Sequence, residues 1–166
     1  MSELVLLSFS HIFIVFICIA SIVFIPKLFK HSSALTHSYL TYFIISLIMI
    51  NQGMDLYREG YLDEWKLGLP LHLCDFSSFS ILIYLLTKKR DFFIFAFFFG
   101  IAGAGMSILT PDTGYGFPAV GYIQNQIGHT AIILGVSYAM VIDNQRPYFK
   151  DVARALGFAT FLLFIM

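Results

Sequence analysis

Residues 67–87 read LGLPLHLCDFSSFSILIYLLT. The run is apolar and about as long as a bilayer crossing, which takes roughly 20 residues. Yet it opens with His72, Cys74 and Asp75 close together. Ionisable groups are costly inside a membrane. Whether this run is a span or a soluble core helix decides the fold. Composition favours the span: the chain of 166 residues is 58% hydrophobic and 12% charged, with 19 Phe. Soluble domains carry about 25% charged residues.

Five further apolar runs flank it, and the six cover about 4–28, 39–56, 67–87, 92–109, 123–142 and 152–166. Five are long enough to cross, the second only just, and the sixth stops with the chain at Met166. The expected fold is all-α: one polytopic helical membrane domain over 1–166, with five full spans and a truncated sixth. The leader Met1-Ser2-Glu3 is acidic and the first run is too long for an h-region, so that run reads as a span and not a cleaved signal. No linker, low-complexity segment or internal repeat divides the chain.

Lys and Arg set the orientation. Lys27, Lys30, Lys88, Lys89, Arg90, Arg146, Lys150 and Arg154 follow spans one, three and five. Only Arg58 and Lys66 lie on the other side. The first set is expected in the cytoplasm, with the N-terminus outside. Acidic and basic residues number ten each, and no basic stripe or nucleic-acid-binding module is present.

This topology brings three spans' polar residues to one outer level. Span three opens there, with Pro70 suited to its first helical position. Span four ends there at Thr110-Pro111-Asp112, because proline cannot continue a helix. Span five begins there with Gln124-Asn125-Gln126 and reaches His129. Asn125 and Gln126 each share a helix face with His129. Every residue also has an ordinary reading. Asp75 suits a first helical turn, and His72 suits an interfacial hydrogen bond. Asn125 and Gln126 suit a helix start or interhelical bonding. Cys74 and Cys18 suit core packing. Gly100, Gly103 and Gly105 suit close helix contact. Trp65, Tyr57 and Tyr61 suit an aromatic belt, and Asp55, Glu59, Asp63 and Glu64 a solvated outer loop. His129, about a turn inside span five, is the hardest to explain in this way.

A thiol at a helix N-terminus is readily activated, and a base within hydrogen-bond reach makes it a usable nucleophile. Cys74 is the candidate nucleophile and His129 its candidate base, with Asp112 or Asn125 as orienter. His72 points away from Cys74 around the helix and shares a face with Asp75, so that pair is supporting, as is Gln126. Acyl transfer from a phospholipid ester is the reaction such a pair performs, and it needs no cofactor. Zinc is the rival reading, since His72, Cys74, Asp75, Asp112 and His129 are all possible ligands. No HxxxH, HExxH or CxxC spacing supports it. A small transporter, or a membrane subunit without catalysis, is the other alternative. Transporters place polar groups near the midplane, and here they gather at one end. The sequence leaves the oligomeric state open.

The motifs LPLHLCD (69–75), FFGIAGAGMSILTPD (98–112) and the HT pair at His129 resemble YwaF-type bacterial integral membrane proteins, which are similar to the eukaryotic transmembrane protein 164 family. The resemblance runs from about Tyr39 to about Val141. It implies a helical membrane fold of about six or seven spans. It also implies a lipid acyltransferase whose cysteine and histidine correspond to Cys74 and His129. Two departures stand out: the chain stops within the sixth span, and GHT replaces the more common SHG.

Overall fold

A 20-residue apolar stretch leaves its helix little choice in lipid, where every backbone N–H and C=O must be bonded within the segment. In the computed structural model, described for residues 6, 8–57 and 72–165 with side chains through 160, the apolar runs are helices. No β-strand occurs among the described residues. Arg58, Glu59, Tyr61, Asp63, Glu64, Trp65, Lys66 and Pro70 lie outside the described residues.

The helices are α1 (Phe9–Leu28), α2 (Ala34–Asp55), α3 (Leu73–Thr87), α4 (Arg90–Leu109), α5 (Val120–Val141) and α6 (Asp151–Ile165). Ser8 caps α1 through the His11 N–H, and Ser33 caps α2 through the Thr36 N–H. The second helix therefore starts earlier than the apolar run suggests. Its polar first turn is capped and tied back, with His37 Nε2 donating to the Phe29 carbonyl over 2.8 Å. Within α4, Ala96–Gly100 is wound as a π-helix. Three helices, α1, α2 and α4, are long and apolar enough to cross a membrane, while α3 is apolar but has only 15 residues.

At the centre stands α5, packed against α1, α2, α3 and α4. It buries eleven of its 22 residues. Lipid gives packed helices no hydrophobic drive, so close van der Waals contact must hold them. Ile44, Ile48 and Ile81 are almost wholly inaccessible, and Ile81 lies so near the Gly135 backbone that a Cβ there would meet it at 2.6 Å. The outward faces of α1 and α2 carry exposed Phe13, Phe16, Phe24, Tyr42 and Phe43.

One end of the bundle is tied by ion pairs. Lys88 Nζ meets Asp143 Oδ2 at 2.6 Å, and the Tyr84 hydroxyl donates to the same oxygen. Arg90 holds the inaccessible Asp151 carboxylate with both terminal nitrogens, at 3.0 and 2.6 Å, and also donates to the Arg146 carbonyl. The Arg90 guanidinium and the Tyr148 N–H depress the Asp151 carboxyl to about 2.

Candidate functional site

The opposite end holds the polar residues, and it is built around the end of α4. The last carbonyls of a helix have no partner within it, and in a membrane no water supplies one. Three consecutive carbonyls of α4 are met by side chains of its neighbours. Asn125 Nδ2 donates to Ser107 O over 3.2 Å, Gln126 Nε2 to Ile108 O over 3.2 Å, and His11 Nε2 to Leu109 O over 3.0 Å. Ser107 Oγ returns a bond to Asn125 Oδ1, and the Tyr122 hydroxyl meets His11 Nδ1 at 2.8 Å. The Cys18 thiol points at Gln126 Oε1.

A second layer joins α2 to α3 and α5. Asp75 caps its own helix by accepting the His72 N–H on Oδ2 at 3.0 Å, and its Oδ1 accepts from Gln52 Nε2 at 3.1 Å. Asp55 accepts from Gln124 Nε2 at 2.6 Å and from Asn51 Nδ2 at 2.9 Å. Asp55 is thus the last residue of α2, bonded into the bundle, and not part of a solvated loop as the sequence suggested.

Cys74 and His129 stand on different helices, α3 and α5. The Cys74 sulfur rests on α4 where Gly103 leaves room: a Cβ there would stand 3.1 Å from Sγ. Asn125, His129 and Ile132 share a face of α5. Asn125 touches Ser107, and Ile132 reaches Gly100, a Cβ on which would stand 3.1 Å from its Cγ2. Along α5, His129 lies between these two points of contact with α4. Asp75 directly follows Cys74 in α3. His129 Nδ1 lies 2.8 Å from the Asn125 carbonyl. A carbonyl only accepts, so Nδ1 carries the proton and Nε2 keeps its lone pair. Asn125 orients His129 through its main chain, while its side chain belongs to Ser107.

The other candidates separate. His72 sits exposed at the start of α3, bonded to Asp75 through its backbone. Asp112 is exposed in the loop after α4. Among the described residues, no three His, Cys, Asp or Glu side chains gather as a metal site. Both cysteines are free thiols. Of the small residues, Gly100 and Gly103 take close contacts, whereas Gly105 faces open space. Sequence reasoning missed Asn51, Gln52, Ser107, Tyr122 and His11. Only His11 carried a signal: it stands near the start of span one, which the expected topology puts at the same end as the cluster.

Apolar helices and a polar centre on the most buried helix define a multi-pass α-helical membrane protein with a polar cluster at one end of its bundle. Residues 4–166 match the TMEM164 family, and the chain belongs to it. Comparison with curated proteins and with solved structures gives no match.

Proposed function

We propose that this protein is a phospholipid acyltransferase, or lipid acyl hydrolase, that works through Cys74 and His129. What supports the reading is a Cys74 sulfur packed against Gly103 of α4 and a His129 ring whose Nδ1 donates to the Asn125 carbonyl, which leaves the lone pair on Nε2. In this reading His129 Nε2 takes the Cys74 proton and the thiolate attacks the ester carbonyl of a phospholipid. The lysolipid oxygen leaves with that proton, and a thioester remains on Cys74. A second lipid hydroxyl, or water, gives its proton to His129 and takes the acyl group, restoring the thiol. Asp75, held by Gln52 and the His72 N–H, supplies negative charge near the imidazolium that forms between these steps. Phospholipids are the partner, and no cofactor enters.

The same proposal includes five crossings and a partial sixth, in a bacterial plasma membrane, with the catalytic end outward. The distribution of Lys and Arg supports that orientation. A reporter fused after Lys89 is expected to read cytoplasmic, and an external reading reverses the leaflet.

The test is acyl transfer from a labelled phospholipid by the protein in nanodiscs. Cys74→Ala and His129→Ala are each expected to remove turnover, and the double variant to be little worse than either, because residues acting as a unit are not additive. Wild-type turnover in Cys74→Ala eliminates the covalent mechanism and leaves the end of the bundle as a solute or ligand site.

A further inference from the structure

At the other end of the molecule, α6 packs mainly on the first turns of α4. It is fastened by Asp151 to Arg90, by the buried Ala155, and by Phe158 set edge-on against Phe95 with centroids 5.2 Å apart. Beside this seam runs a groove of about 620 Å³ lined by Lys89, Asp91, Phe92, Phe95, Arg154 and Phe158. Its walls are aromatic and its mouth is charged. Gly157 lies on it, and a Cβ there would meet nothing within 4 Å. Arg154 and Asp91 stand 3.7 Å apart with side chains 63% and 84% exposed, a pairing too wet to hold much. Arg90 is already spent on Asp151, so the mouth is left with Lys89 and Arg154 as its cations.

Chemistry of this kind selects its occupant. Two cations above a strip of phenyl rings, at the edge of an apolar bundle, match a molecule with an anionic head and a hydrocarbon tail. Basic pockets between membrane helices hold anionic headgroups in this way. We propose that the α4–α6 groove binds an anionic phospholipid, its phosphate on Lys89 and Arg154 and one acyl chain along Phe92 and Phe158. Asp91 competes for Arg154 and weakens the site. The site is remote from Cys74 and does not depend on the acyl-transfer reading.

The experiment is native mass spectrometry of the full chain released from detergent with palmitoyl-oleoyl phosphatidylglycerol or phosphatidylcholine added. The wild type is expected to retain the glycerol lipid over the choline lipid. The Lys89→Gln/Arg154→Gln double variant should lose that retention on the order of tenfold. Asp91→Asn should raise it, a gain that misfolding cannot imitate. Gly157→Leu should lower retention of both lipids by filling the groove. Equal retention of the two lipids, or an Asp91→Asn variant no better than wild type, overturns the proposal. So does displacement of the glycerol lipid by millimolar inorganic phosphate, which would make this a phosphate site. A lipid-free dimer in the same spectra would assign the face to a second chain and also overturn it.

Discussion

Gly128 immediately precedes His129, and the Asn51 side chain fills the space where its Cβ would stand. Asn51 is itself bonded to Asp55, so it has little freedom to retreat. Gly128→Ala is therefore expected to destabilise the protein by about 1–3 kcal/mol, the usual cost of overpacking, and to displace His129 with it. Gly105 makes the comparison, since a Cβ there meets nothing. Gly105→Ala should be neutral or gain up to about 1 kcal/mol from helix propensity. Unfolding in mixed micelles of rising denaturing detergent measures both; equal effects would mean that contact at Gly128 does not matter. Nothing in the strings GHT (128–130) and AGAGM (102–106) distinguishes these glycines. The difference lies in Asn51, far away in the chain, which reaches Gly128 only once the helices have packed.

At the scale of the element, α4 was half legible. Its end at Pro111 follows from proline chemistry, and Gly100 and Gly103 read correctly as contact points. The π-helical stretch Ala96–Gly100 carries no compositional mark, because AFFFG is ordinary apolar sequence. The last residue of α2 was misread for a related reason. Asp55 looks like the start of a loop until Gln124 arrives to bond it. The carbonyls that close α4 give a direct test. Gln126 is almost fully buried and bonds Ile108 O. Gln126→Leu keeps the volume and removes the donor, so it should cost about 1 kcal/mol, the scale of interhelical hydrogen bonds in membranes. A variant more stable than wild type would show that the Ile108 carbonyl needs no partner.

For the whole molecule, the two ends answer to different conditions. The apolar runs and the Lys/Arg bias were enough to assign Cys74, Asn125, Gln126 and His129 to one end, because topology alone fixes level. Which side chains touch at that level depends on helix rotation, which periodicity cannot supply for helices apolar on nearly every face. The opposite end is held by charge and so responds to acid. Asp151 titrates near 2 in the folded protein and near 3.9 when unfolded. Its contribution is complete above about pH 4 and disappears as pH falls towards 2. Asp151→Asn should therefore melt below wild type at neutral pH, with the gap closing between about pH 4 and pH 2. A gap that persists at pH 2 would show that the carboxylate charge is not what holds α6.

The polarity of α5 bears on how the protein is made. At 22 residues it is long enough to cross, yet it is not among the helices apolar enough to do so unaided. Gln124, Asn125, Gln126 and His129 raise its cost of entering lipid, and the partners of the first three, on α1, α2 and α4, exist only after those helices are in place. The scaffold is therefore expected to assemble before its own centre is threaded. Presented singly to an insertion machinery, α1, α2 and α4 should integrate and α5 should slip through. Preceded by the first four helices, α5 should be retained. If α5 integrates alone as readily as α1, its polar turns do not depend on these neighbours for entry.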